Sequence, residues 1–191
     1  MPNWVQNRLT INGSKKEIKN IKQSLMSGKG NNELHIDFNK IIPMPKELKN
    51  VCSPTTIISE KEYLNQESKI ERGELSEKEK LYGISRNLTK KLHNEYINRF
   101  GAVNWYDWSC KNWGTKWNAC ETSSKKNYIT FATAWSCPLL VIQKLSLTYP
   151  NITFELLYAD ENAGYNTGSM ILKEGELYSE EIEENSIRSW N

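Results

Sequence analysis

The chain has no apolar run approaching the roughly 20 residues that a bilayer-spanning helix needs, so no membrane anchor and no membrane partner are expected. Its start, Met1-Pro2-Asn3-Trp4, lacks the basic stretch and apolar core of a secretory signal, which points to a cytoplasmic location. Histidine is scarce: His35 and His93 stand alone. The four cysteines, Cys52, Cys110, Cys120 and Cys137, are scattered, with no Cys-x-x-Cys pair. That spacing offers no zinc ligand set, and without a secretion signal the thiols are expected to be reduced. Catalytic signatures are missing as well. No Gly-x-Ser-x-Gly, no phosphate-binding glycine loop ending in Lys-Ser/Thr and no His-Glu-x-x-His occurs. No catalytic residue, metal or cofactor is therefore expected.

What the chain does have is aromatic weight and an uneven spread of charge. With 191 residues it fits one domain carrying a sizeable insertion. Apolar content is modest at 38%, while seven Trp and nine Tyr imply a core built on a few large rings. The formal net charge of +2 hides an asymmetry. Residues 1–50 and 86–150 are basic on balance, and the stretch from Glu155 onward is acidic. Residues 176–191 read as an acidic, flexible tail.

Periodicity organises the two ends of the chain. Trp4 to Ile11 reads as a strand, with Val5, Leu9 and Ile11 on one face and Asn7 interrupting it. Ser14-Lys15-Lys16-Glu17 is a capping box, and the helix it opens carries Ile18, Ile21, Leu25 and Met26 on one stripe with lysines opposite. Ile41-Ile42-Pro43-Met44-Pro45 suggests an extended segment crossing the core. Residues 55 to 82 read as exposed, charge-mixed helices, and Asn87 to Phe100 as a helix stopped by Gly101. Trp117–Thr122 and Tyr128–Thr133 read as a hairpin, and Pro138 starts a helix through Tyr149. Strands follow at Ile152–Tyr158 and Gly168–Leu172. Omitting residues 36–116 leaves β-α-β-β-α-β plus one strand. That is an α+β, ferredoxin-like split βαβ: an antiparallel sheet with its helices on one face, in a domain spanning 1–175 with a largely helical insertion at about 36–116.

The Trp-rich segment from Trp105 to Trp117 supports two readings. In the first, its tryptophans are a burial device that clasps the insertion to the sheet. In the second, Trp105, Asp107, Trp108, Asn112, Trp113, Thr115, Lys116, Trp117 and the later Trp135 form an aromatic groove that stacks a base or clamps a peptide. Lys116 is placed for cation–π contact with a neighbouring indole. Asp107 reads first as a capping group and second as an acid or base. Cys137, before Pro138, reads as a structural thiol ahead of an acidified one. Lys15, Lys16, Lys19 and Lys22 give the first helix a basic face, which keeps nucleic acid among the candidate partners.

Several of these residues recur together in one family. Met1-Pro2-Asn3-Trp4, Asn7-x-Leu9, Phe38-Asn39-x-Ile41-Ile42-Pro43-Met44-Pro45, Trp105-Tyr106-Asp107-Trp108, Asn112-Trp113-Gly114-Thr115-Lys116-Trp117 and Thr133-Ala134-Trp135-Ser136-x-Pro138 resemble the YubB ferredoxin-like (Api-type) family of bacteriophage- and plasmid-borne proteins. The resemblance runs from residue 1 to about 172, apart from residues 50–85. It implies the ferredoxin-like fold with an insertion and transfers no catalytic residue or cofactor. The expectation is a non-enzymatic accessory protein of a mobile element that binds a host protein in the bacterial cytoplasm, in its concrete form an inhibitor of a host defence system. The alternatives are a nucleic-acid or nucleotide binder using the tryptophan groove, and an enzyme with Asp107 and Lys116 in a pocket.

Overall fold

The computed structural model describes residues 2–28, 34–162 and 164–182. In chain order the elements are β1 (Trp4–Asn12), α1 (Lys15–Leu25), β2 (Met26–Ser27), β3 (His35–Ile36), α2 (Glu60–Glu71), α3 (Glu77–Tyr82), α4 (Lys90–Phe100), α5 (Trp105–Trp113), β4 (Cys120–Ser124), β5 (Tyr128–Ala134), α6 (Leu139–Thr148), β6 (Thr153–Asp160), β7 (Gly168–Lys173) and β8 (Glu176–Ile182). They divide into two compact units, one made of Met1–Pro43 and Cys110–Asn191, the other of Met44–Ser109. The second unit thus begins and ends inside the 36–116 span read as the insertion.

In the first unit six strands form one sheet in the order β4-β5-β1-β6-β7-β8, and every pairing is antiparallel. Without β7 and β8, the order is that of a ferredoxin-like split βαβ, with β1 central between β5 and β6. Period-2 alternation sets the inner face: Val5, Leu9 and Ile11 of β1, Ile129 and Phe131 of β5, and Phe154 and Leu156 of β6 are all essentially buried. Both helices cover that face. Ser14 accepts from the Glu17 backbone N–H while the Glu17 carboxylate accepts from the Ser14 N–H, so the capping box starts α1 as the spacing predicts. The Tyr149 hydroxyl, just past α6, meets Ser24 Oγ of α1 at 2.8 Å.

Three local expectations are corrected. Residues 176–182 are a strand and not a tail: β8 pairs with β7 through a tight turn at Glu174-Gly175, both left-handed. That turn is tied to α6, since Gly175 N–H donates to Ser146 Oγ and Gln143 Nε2 donates to the Gly175 carbonyl. Glu176, Glu180 and Glu181 sit on a solvent-bathed edge strand, so the acidic composition disguised the strand. Residues 183–191 lie outside the described residues. The hairpin partner of β5 starts at Cys120 and not at Trp117, because Asn118 is occupied: its Oδ1 accepts from the Phe38 and Ala119 backbone N–H groups. Residues 41–45 do not cross a core; Ile41, Ile42, Met44 and Pro45 are half-buried and Pro43 is exposed.

Gly168 is required by close approach. A Cβ there would run into the Glu181 carbonyl and come within 2.7 Å of Tyr158 Oη. Gly168→Ala should part β7 from its neighbours and destabilise the fold by about 2–3 kcal/mol, as overpacking of a filled site does. Urea denaturation is the check, and a loss below about 0.5 kcal/mol would mean that the strands separate freely.

The second unit has its own small core of Val51, Leu88 and Val103, with Leu92 and Tyr96 packed on it. Residues 51 and 57 form isolated parallel bridges to residues 86 and 88. α2 and α3 both begin with capping boxes, at Ser59/Glu62 and Ser76/Glu79, and α4 begins at a Thr89 cap. Arg86 pairs with Glu67 at 2.9 Å.

Candidate functional site

The site is built upward from Asn7, the polar residue that interrupts the apolar face of β1. It is buried, and its Nδ2 donates to the Val5 carbonyl at 2.9 Å and to Thr133 Oγ1 at 2.8 Å. Thr133 Oγ1 in turn donates to the Ser136 carbonyl at 2.8 Å, bridging the turn where β5 leaves the sheet. The Ser136 hydroxyl donates to the Gly114 carbonyl, and Thr115 Oγ1 donates to the Ala134 carbonyl at 2.8 Å. This chain of buried and part-buried hydrogen bonds locks the Gly114–Trp117 segment beside the Thr133–Ser136 turn. Gly114, with φ +78°, needs a conformation that a side chain disfavours.

The network holds a tryptophan in strain. Trp135 has φ +73°, a left-handed backbone that costs a bulky residue about 1–2 kcal/mol. It is pinned on both sides: its N–H donates to the Asn3 carbonyl at 2.9 Å, and Asn166 Nδ2 donates to its carbonyl at 3.0 Å. The result is display. The Trp135 residue is 43% exposed and Trp117 37% exposed. Lys116 Nζ lies 4.4 Å from the Trp117 ring centre and 4.6 Å from that of Trp135, and Trp4 stacks obliquely on Trp117 with ring centres 6.0 Å apart. Two surface indoles bridged by one ammonium form a rigid, amphipathic patch, and each cation–π contact contributes about 0.5–1 kcal/mol.

The nine residues read from the sequence as a groove are divided between the two units. Trp105, Asp107 and Trp108 belong to the second unit; Asn112, Trp113, Thr115, Lys116, Trp117 and Trp135 belong to the first. Asp107 is exposed and engaged in a helix cap, its N–H donating to Asn104 Oδ1 and its carboxylate accepting from Asn104 Nδ2, both at 2.8 Å. Trp105 meets the Tyr106 ring edge-on, and Trp108 is buried. In the first unit Trp113 is buried against Phe38 and donates its indole N–H to the Ile42 carbonyl at 2.9 Å. Buried Thr115 serves the network above, and Asn112 lines an open cleft of about 480 Å³ with Lys111 and Leu140. Within the first unit, Lys116, Trp117 and Trp135 converge at the surface. Sequence reasoning missed Trp4 and Asn166 as their supports. The period-2 break at Asn7 was the one available signal of the network.

A second set of hydrogen bonds gathers around Asp37 and reaches Asn118, the residue after Trp117. The Asp37 carboxylate accepts from Asn118, Asn39 and Ser27 side chains. Burial pushes its pKa up, but those donors together outweigh burial and hold it below the ordinary carboxylate value. Cys137 carries the opposite shift: burial, helped by Glu180, pushes its thiol up to about 11. Its neutral form therefore dominates through the physiological range. Its alkylation by iodoacetamide at pH 8 should be roughly a hundredfold slower than that of an unperturbed thiol and should accelerate as the pH climbs toward 11. Peptide mapping by mass spectrometry reads this directly; rapid labelling of Cys137 at pH 8 would contradict it. Among the described residues no group of three or more His, Cys, Asp and Glu side chains is placed to hold a metal ion, and no helix is long and apolar enough to cross a membrane.

Known proteins show similarity in two ways. Residues 112–191, from the end of α5 onward, match the family model for the ferredoxin-like domain in Api92-like protein. The crystal structure of protein api92 from Yersinia pseudotuberculosis aligns over 100% of this chain and 100% of its own, with a TM-score of 0.53 and 11% sequence identity. At that identity the likeness is one of fold. No curated protein matches the chain in sequence.

Proposed function

We propose that this chain is a non-enzymatic binding protein of a phage or plasmid, and that the patch of Trp4, Lys116, Trp117 and Trp135 is its contact surface for a host protein in the bacterial cytoplasm. The observation that carries this reading is Trp135: a strained backbone, fastened by hydrogen bonds on both sides, presents a large indole to solvent. Strain of this kind persists where function needs it, and exposed Trp beside a cation is the side-chain chemistry of binding hot spots. Inhibition of a host defence system is the concrete form of the proposal, supported by the resemblance to proteins carried by mobile elements. The two side chains of the enzymatic alternative are otherwise engaged, Asp107 in a helix cap and Lys116 between two indoles.

Affinity purification from host cells, with the wild-type chain and the Trp135→Ala variant in parallel, tests the proposal. A host protein should be retained by the wild-type chain through a high-salt wash and lost with the variant. If the only material retained is nucleic acid released steeply by salt, the nucleic-acid alternative replaces this one. Equal recovery by both chains would sink the assignment of the patch.

A further inference from the structure

A second surface, at the opposite end of β5 from the Trp135 patch, has a different chemistry. α1 and the β4–β5 hairpin enclose an open cleft of about 850 Å³, at the upper end of the roughly 300–1,000 Å³ typical of ligand sites. Helical spacing puts Lys15, Lys19 and Lys22 along the α1 side, and Lys126 faces them from the hairpin. Lys22 fastens the hairpin to the helix, its ammonium donating to Ser124 Oγ at 3.0 Å and to the carbonyls of Lys125 and Tyr128. The other three are exposed and form no ion pair among the described residues. The nearest acidic group on α1, Glu17, is engaged in the capping box. Between the ammoniums the floor is aliphatic, made by Ile18, Met26 and Leu34.

We infer that this cleft is a docking site for an acidic segment of a partner protein that also carries aliphatic side chains. Among the described residues, four lysines against the single Glu17 carboxylate leave the cleft net positive, a field that attracts carboxylates, and the aliphatic floor supplies a place for apolar side chains between them. Charge alone would suit nucleic acid equally. No aromatic side chain lines the cleft among the described residues, so a base has nothing to stack on, whereas leucine-like side chains have a floor. The site stands apart from the Trp135 patch and holds whether or not that patch binds a host protein.

The test uses the full chain and fluorescence anisotropy with a labelled peptide of alternating glutamate and leucine. Two comparison probes are a glutamate–serine peptide of equal length and a single-stranded oligonucleotide of equal charge. The glutamate–leucine peptide should bind tightest. Lys15→Glu/Lys19→Glu/Lys126→Glu should weaken it about tenfold or more. The control Lys61→Glu/Lys90→Glu/Lys91→Glu, which makes the same charge change in the second unit, should leave it within about twofold. Trp135→Ala should bind it as the wild-type chain does, so failure of the patch and failure of the cleft are separable. Circular dichroism confirms that each variant is folded. Equal weakening by both triple variants, equal binding of the serine peptide, or tighter binding of the oligonucleotide through the same lysines would each overturn the inference.

Discussion

Phe38→Ala should lower the unfolding free energy by about 3–5 kcal/mol, the largest single-residue effect expected in the first unit. Phe38 is fully buried and meets two rings edge-on, Trp113 at 5.7 Å and Phe131 at 6.3 Å between centres. Its backbone is equally committed. The N–H donates to Asn118 Oδ1 at 2.9 Å, and its carbonyl accepts from the N–H groups of Ile41 and Ile42. The cavity left by alanine cannot be refilled by Trp113, whose indole N–H is anchored to the Ile42 carbonyl. The loss of buried surface and the cost of the cavity therefore add in full. Phe38→Leu, which keeps most of the volume, should cost well under half as much. Urea unfolding of the two variants decides the matter; a loss below about 1 kcal/mol for alanine would mean that the neighbouring rings collapse into the space.

The second large effect is on binding. If the patch is the proposed contact surface, Trp117→Ala and Trp135→Ala should each remove about 2 kcal/mol from the affinity for its partner, as hot-spot tryptophans do. That is roughly thirtyfold apiece and about a thousandfold together if they act independently. Lys116 touches both rings, so coupling between the two substitutions is expected and the double variant should fall short of the full product. Stability should fall by about 1 kcal/mol at each position, since the alanine variants lose the Lys116 contact and, at Trp117, the packing of Trp4, far less than a core truncation costs. Trp135→Gly provides the sharper contrast. It relieves the left-handed strain, so it should be as stable as the wild-type chain or more so by up to about 1 kcal/mol, yet bind no better than Trp135→Ala. Isothermal titration with the purified partner and thermal unfolding measure the two quantities separately. Binding of the double variant within about threefold of the wild-type value would show that the patch is not the contact surface.

Particular residues show why some of this architecture was legible in advance. The capping box at Ser14/Glu17, the alternation of β1 and β6, and the proline before α6 are local signals. Each acts within a few residues through hydrogen-bond geometry or side-chain period, and each survives folding unchanged. Together they were enough for the split βαβ order. β8 was hidden because its acidic side chains face solvent at a sheet edge, where pairing depends on β7 and on the tie from Gly175 to α6. The start of β4 was misplaced because Asn118 answers to Phe38, eighty residues away in the chain.

The Trp-rich segment marks the division most clearly. Trp113 and Trp117 are four residues apart in one motif and indistinguishable by type, yet the first is 4% exposed and the second 37%. By itself the sequence determined that this region is aromatic, that Gly114 permits a reversal within it, and that the surrounding elements make a ferredoxin-like sheet. Only the tertiary structure decided which indoles are core and which are display. That choice depends on long-range partners: Phe38 and Ile42 draw Trp113 inward, while Asn3, Asn166 and the Asn7–Thr133 network turn Trp135 outward beside Lys116. Burial is a property of where distant segments meet, and no local period carries that information.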